Sequence, residues 1–239
     1  MMTNYKRVAI YFLPKKNSSL ENFGKNLLGR DINKKKKISL TRRQKYFISR
    51  GFTFFDELKD YCEQPAKYGF HATLKAPFRL KRNVKTKNFY DVISHIAAQH
   101  SRFKIQGLKI VYSKKFTFIT SRKPNKLLIN LENDLVKHLD TFRAELNKTE
   151  IKKRIPDSLT IKQNKYLKEW GYPFVFDQFK FHMTLMNQNN NKLSNKQKLE
   201  LEKLIYKISN NVIEFNEISL LGENKNGHFE EIKRFKLNF

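Results

Sequence analysis

The sequence predicts an α+β protein of two pseudo-symmetric lobes, each an antiparallel sheet with helices on its outer face, around a central cleft. Three observations carry this expectation. The pentapeptide Phe70-His71-Ala72-Thr73-Leu74 returns as Phe181-His182-Met183-Thr184-Leu185. The segments downstream of the two copies recur at the same interval. The two histidines are 111 residues apart, helices beginning near Thr86 and Lys196 are 110 apart, and strands beginning near Phe103 and Phe215 are 112 apart. Both pentapeptides also alternate polar and apolar residues with the period of a β-strand. The chain therefore divides as a single bilobal domain, with a first repeat at approximately 5–113 and a second repeat plus closing strand at 116–237.

Each element has its own signal. Arg7 to Leu13 is an apolar run stopped by Pro14 and reads as a buried strand. Ser18 or Ser19 caps a helix whose Leu20, Phe23, Leu27 and Leu28 share one face, and Gly29 ends it. Thr41 to Ser49 reads as helix. Gln64-Pro65 marks a turn before the first motif strand, Tyr68 to Leu80, which Pro77 must interrupt because it cannot donate to a ladder. Thr86 to Gln99 is an amphipathic helix, and Phe103 to Tyr112 a strand that returns as Phe116 to Thr120. Leu127 to Leu146 follows as helix. Thr149 to Arg154 is a short charged helix stopped by Pro156, and Thr160 to Trp170 is capped by Thr160 and closed by Gly171. The second motif strand is Phe176 to Met186, followed by an Asn-rich loop at Asn189 to Asn191. Ser194 caps a helix to Ser209, and Val212 to Leu221 is a strand. Asn226-Gly227 turns a hairpin, and Phe229 to Leu237 closes the chain.

Composition allows a packed core: of 239 residues, 39% are hydrophobic and 13% aromatic, with Phe used 21 times. The net charge of +27 points to an anionic partner, whether nucleic acid, phosphorylated metabolite or membrane surface. A general richness in Lys and Asn produces the same number with no partner, so charge alone does not choose. Cys62 is the single cysteine, which excludes an intrachain disulfide and any multi-cysteine metal site. Val8 to Leu13 is too short for a signal-peptide core, and no apolar run approaches the roughly 20 residues that span a bilayer. The expectation is a cytoplasmic protein with no membrane partner.

In a strand, residues two apart share a face. His71 therefore stands beside Thr73 and His182 beside Thr184, while Phe70, Ala72, Leu74, Phe181, Met183 and Leu185 face a core. A lone His-x-Thr carries little weight, since half-buried strands often hold a polar residue on the wet face. Two copies among six histidines weigh more. Imidazole titrates near neutrality and serves as base or acid, and a threonine hydroxyl can hold a phosphoryl oxygen. Lys75 and Lys180 fall on the faces of Thr73 and His182 and add positive charge there, or are simply solvated. No carboxylate is spaced with the motif histidines as in known metal motifs, so no metal and no cofactor are expected.

The chain resembles the 2H phosphoesterase superfamily, which is named for two His-x-Thr/Ser motifs across a two-lobed cleft. Within it, the chain is similar to the DUF1045 branch associated with phosphonate metabolism. The blocks that carry the likeness are Leu28-Gly29-Arg30-Asp31, the run from Tyr68 to Leu80, Phe142-Arg143-Ala144, Trp170-Gly171-Tyr172-Pro173 and the run from Asp177 to Leu185. The chain departs from the pattern at Met186-Asn187, where relatives carry Thr-Gly. The resemblance implies metal-independent hydrolysis of a cyclic phosphate on a small sugar or nucleotide, and a monomer is expected. His71, Thr73, His182 and Thr184 would be the catalytic residues. It adds Arg30, Arg79, Arg143 and Tyr172 as substrate-binding candidates. Two other functions stay open: an RNA end-processing 2′,3′-cyclic phosphodiesterase or 2′,5′ ligase, and a non-catalytic phosphate- or RNA-binding protein.

Overall fold

In a computed structural model the protein is α+β, and the structure describes residues 4–155, 159–187 and 193–239. The Pro156 helix stop and the Asn189 to Asn191 loop lie outside the described residues. The first half runs β1 (Val8–Phe12), α1 (Ser19–Leu28), a ribbon of β2 (Arg30–Asp31) and β3 (Lys36–Lys37), and α2 (Leu40–Ile48). It continues through the short α3 (Phe55–Leu58) and α4 (Glu63–Ala66) to β4 (Ala72–Phe78), α5 (Thr86–Gln99), β5 (Phe103–Gln106) and β6 (Leu108–Tyr112). The second half runs β7 (Phe116–Ser121), α6 (Lys126–Asp140), α7 (Lys148–Arg154), α8 (Ile161–Trp170) and β8 (Met183–Asn187). It ends with α9 (Asn195–Ser209), β9 (Val212–Phe215), β10 (Glu217–Glu223) and β11 (Phe229–Lys236).

Helix ends follow the capping chemistry of the sequence. Ser18 accepts from the Glu21 amide to open α1, and Gly29 closes it at φ 71°. Thr160 and Ser194 each form a capping box with a glutamine three residues on. Helix α6 stops at Asp140, six residues short of the Leu146 expected from periodicity. Arg143 turns back to donate two hydrogen bonds to the Asp140 carboxylate, at 2.7 and 3.0 Å, and its backbone bridges to Leu80.

Seven strands form one antiparallel sheet in the order β11-β10-β1-β4-β8-β7-β6. Strands β4 and β8, which carry the two motifs, lie side by side at its centre and pair at Ala72 and Met183. The long strand expected over Phe103 to Tyr112 is cut at Gly107, whose φ of 67° breaks the extended backbone. The piece before the break, β5, pairs with β9, and the piece after it, β6, pairs with β7. Val212 to Leu221 is likewise cut at Asn216, so that β9 pairs with β5 and β10 joins the main sheet.

The motif strands are shorter than expected. Strand β4 starts at Ala72 because Gly69, at φ 77°, turns the chain just before it. Pro77 is absorbed by a register shift: Val8 faces Phe78 while Ile10 faces Lys75. Strand β8 starts at Met183, and Phe176–Gln178 form a 3-10 turn instead. The Phe181 carbonyl is taken by the Thr120 hydroxyl at 2.6 Å rather than by a ladder amide.

One face of the sheet is covered by helices. Phe70, Ala72, Leu74, Phe181, Met183 and Leu185 pack there with residues of α1, α5, α6 and α9 in one apolar core, as the alternation requires. Phe70 sits so close under α1 that a Cβ on Gly24 would lie 2.0 Å from its ring. Interlocking of this kind makes core positions sensitive to a single methyl group. The opposite face carries a smaller cluster of Ala9, Tyr11, Leu13, Ile32, Leu221 and Phe229, and the motif histidines.

Candidate functional site

The pairing of Ala72 with Met183 sets the geometry. In this antiparallel register Thr73 stands across from His182, and His71 across from Thr184. Facing Cα atoms in such ladders are about 4.5–5.5 Å apart. The four side chains thus form a diagonal square on one face of the sheet, each histidine beside a threonine from the other strand. All four are half-buried, open to solvent but not loose.

Each imidazole is held in the same way. His71 Nδ1 is 2.8 Å from the Gly69 carbonyl and His182 Nδ1 is 2.8 Å from the Lys180 carbonyl. A carbonyl only accepts, so both Nδ1 atoms carry hydrogen and donate. In the neutral ring Nε2 is then the basic nitrogen. The left-handed turn at Gly69 aims that carbonyl, and a Cβ there would also lie 2.4 Å from Ile32 Cγ2. Thr73 Oγ1 lies 3.2 Å from His71 Nε2 and can donate to it.

The surroundings of the two rings differ. His71 stacks under Tyr11 with centroids 3.8 Å apart, and Tyr68 lies 6.2 Å away. Burial there pushes the His71 pKa down to about 4; the Gly69 hydrogen bond works against this, and the nearby His182 adds to it. His71 is therefore neutral at pH 7. His182 meets Phe118 edge-on at 5.8 Å and lines a cleft of about 770 Å³. Thr73, Phe118, Tyr172, Phe179 and Phe181 share that wall, and Lys109, Arg122 and Lys180 supply positive charge around it. Its lining is largely apolar and aromatic with a few convergent polar groups, the usual make-up of a small-molecule site.

Of the other candidates, Tyr172 and Lys180 line this cleft. Lys75 does not share the Thr73 face as expected. Tyr11 pairs with Thr73 but Ile10 pairs with Lys75, so Leu74 is an extra residue and the bulge turns Lys75 to the helix side. There its ammonium, 3% exposed, donates to the Val136 carbonyl at 2.9 Å and to Asp140 at 3.0 Å. Burial lowers its pKa to about 8, against the pull of Asp140. Arg143 is committed to the same Asp140 and to the Glu169 carbonyl. Arg79 is committed to Glu150, and Arg30 donates to the carbonyls of Ala66 and Lys67 just before the first motif. These four hold the scaffold around the cleft and do not reach into it.

Two residues that the sequence did not single out belong to the site. Tyr11 is one; a phenol in an otherwise hydrocarbon strand is its only signal. Glu132 is the other: 1% exposed, it lines the cleft and accepts a hydrogen bond from the Phe176 amide at 3.2 Å. Burial raises its pKa to about 8, opposed by that hydrogen bond and by Lys75, so it holds its proton at pH 7. Its signal was a lone carboxylate on the apolar stripe of α6, four residues after Leu128. Among the described residues no group of three or more His, Cys, Asp or Glu side chains is placed to hold a metal ion. No helix among them is long and apolar enough to cross a membrane.

Fold and site together define an α+β protein whose two His-x-Thr strands run side by side at the centre of one sheet, with Thr73 and His182 in the wall of an aromatic cleft and His71 and Thr184 beside them. The chain belongs to the family described as Protein of unknown function (DUF1045), whose model matches residues 73–230. It is 31% identical over 119 residues to a ribose 1,5-bisphosphate phosphokinase PhnN of Janthinobacterium sp. (strain Marseille). That match takes in 50% of this chain and 26% of the relative, so the chain spans about a quarter of that protein's length. Among solved structures it is similar to a phosphoesterase at 12% identity and TM-score 0.47, over 98% of this chain and 99% of that one. It is similar as well to E. coli LigT complexed with phosphate, at 13% identity and TM-score 0.44 over 99% of both chains.

Proposed function

We propose that the protein is a metal-independent cyclic phosphodiesterase of the 2H type, acting on a small phosphorylated sugar. The observation that carries this is the pair of imidazoles on adjacent strands, each with Nδ1 tied to a carbonyl, so that Nε2 faces the chemistry, at His71 with only the Thr73 hydroxyl to displace. His71, neutral because it is buried, takes the proton of the attacking water at Nε2. The water oxygen forms a new bond to phosphorus and one ring P–O bond breaks. His182, half-exposed on the cleft wall, acts in its imidazolium form and gives its Nε2 proton to the departing oxygen, keeping the Nδ1 hydrogen on the Lys180 carbonyl. The product is a phosphomonoester, and the two histidines have exchanged protonation states. Thr73 and Thr184 donate to the non-bridging oxygens, whose charge must be stabilised.

The relative's name, a kinase of ribose 1,5-bisphosphate, supports a phosphorylated ribose as the substrate class. Its kinase activity is not carried over, because the chain has no Gly-x-x-x-x-Gly-Lys-Ser/Thr run to cradle a nucleotide triphosphate. A place in phosphonate metabolism is part of the same reading. We also propose that residues 5–113 and 116–237 are two copies of one unit. From β10 to β6 the sheet order is symmetric about the β4–β8 seam, with β1 answering β7, and β5 pairs with β9.

The net charge of +27 favours a second reading, in which the same four residues open a cyclic phosphate at an RNA end. A panel of sugar, mononucleotide and oligonucleotide cyclic phosphates, followed by phosphorus NMR, separates the two. Hydrolysis of the small esters alone supports the first reading, and of the oligomers alone the second. No hydrolysis of any overturns both. EDTA is expected to leave the rate unchanged; loss restored by a divalent ion would overturn the metal-free mechanism.

A further inference from the structure

Helix α6 buries Leu128, Leu131, Leu135, Val136 and Leu139, and in the same row one carboxyl, that of Glu132. The proposed chemistry does not use it, and a carboxyl is costly to bury unless a hydrogen bond compensates. The group that compensates is in the backbone: the Phe176 amide donates to Glu132 Oε2 at 3.2 Å. Phe176 is itself strained. Its φ is 57°, in the left-handed region that a bulky L residue seldom enters. Such a conformation persists only where the surroundings over-determine it, and it gathers at functional sites.

Two helices hold this turn. From α6, Glu132 takes the amide hydrogen. From α8, Tyr166 and Trp170 meet the Phe176 ring edge-on, with centroids 5.4 and 5.1 Å away. The next residue, Asp177, accepts from the Tyr166 hydroxyl at 2.7 Å and pairs with Lys162 at 2.8 Å. Gln178 accepts from Gln163 at 3.0 Å. The chain leaves the turn extended at Phe179 and runs straight on to His182. On the way the Lys180 carbonyl takes the Nδ1 hydrogen of His182, and the Phe181 carbonyl takes the Thr120 hydroxyl. Before His71 the corresponding left-handed turn is made by a glycine, Gly69, which adopts it without strain. We propose that Glu132 is a positioning residue for His182: by holding the Phe176 amide it fixes the turn from which the Lys180 carbonyl, and with it the His182 ring, is hung. The inference rests on the hydrolase reading for the task of His182, while the placement of the ring is measurable without turnover.

Nitrogen-15 NMR of the histidine rings reads the tautomer of each directly. Glu132→Leu removes the acceptor, and Glu132→Gln keeps an oxygen in its place. In Glu132→Leu the neutral His182 ring is expected to become a mixture of tautomers while His71 keeps its Nδ1 hydrogen. In Glu132→Gln both rings should read as wild type. Misplacing the acid should lower kcat about tenfold in Glu132→Leu and leave it within about twofold in Glu132→Gln. Where Glu132→Leu does not fold, Asp177→Ala loosens the same turn from its exposed side and should mix the His182 tautomers in part. An unmixed His182 in the folded variant tested, an equal change at His71, or no rescue by Glu132→Gln overturns the assignment. If wild type hydrolyses no cyclic phosphate, the ring signals still decide the role of Glu132 and only the hydrolase reading falls. Hydrolysis with an unmixed His182 in Glu132→Leu does the reverse.

Discussion

His71 and His182 begin alike and end differently. Each donates Nδ1–H to the carbonyl two residues before it, over 2.8 Å. The first is then covered by Tyr11, bonded by Thr73 and held neutral; the second stands against the edge of Phe118 on an open cleft wall. His182 and Thr184 are not hydrogen-bonded to each other. Repeating a local motif therefore repeats the tautomer but not the environment. In the proposed mechanism this difference assigns the base to the first half and the acid to the second.

The comparison can be broken at several points. The largest effect expected is from His71→Ala and His182→Ala, each of which should abolish hydrolysis while circular dichroism stays native. A surviving rate in either would show that one imidazole suffices. Next come the hydroxyls: Thr73→Val and Thr184→Val should each slow turnover by about 10²-fold, the usual cost of one lost oxyanion donor. Thr73→Val should cost more, because it also removes the partner of His71 Nε2.

The pH profile comes third. With His71 titrating at about 4, the acid limb of kcat/KM should fall there. Replacing Tyr11 by Leu should move that limb toward the ordinary histidine value of 6.5, while Phe118→Leu should leave it in place. Stability follows the same group. The folded value lies below the unfolded one, so the unfolded chain binds more protons between them. Stability contributed by neutral His71 is thus present above pH 6.5 and lost as the pH falls toward about 4. Urea titrations of His71→Gln should lack that slope.

The smallest effect is at Glu132. Its raised pKa has the opposite sign: the folded state holds a proton that the unfolded chain releases above 4.5, so stability is lost as pH rises through about 8. Glu132→Gln should match wild type at pH 5 and exceed it at pH 9 in denaturant midpoints. A variant no better at pH 9 would show that the carboxyl is not kept protonated.

Much of the fold, and the face on which His71, Thr73, His182 and Thr184 stand together, were legible from the chain alone, and the reasons are local. Side-chain alternation in the pentapeptides placed Phe70, Ala72, Leu74 and their partners in the core, and Ser18, Thr160 and Ser194 marked helix starts through their caps. What escaped depends on breaks of register or on distant partners. Lys75 was assigned to the cleft because the bulge at Leu74 depends on how β1 pairs with β4, a tertiary fact. Gly107 was read through as strand because a single glycine does not say which sheet the chain joins next.

The two halves of the main sheet are laced together at one rung, Ala72 with Met183, directly under the four motif side chains. A small twist between the halves therefore passes undiluted into the gap between the rings. In the proposed mechanism the spacing of acid and base rests on the apolar packing below this rung, where the buried Cys62 thiol reaches across to the Leu185 carbonyl. Altering that floor, far from any substrate, is a way to retune the spacing of acid and base without touching either.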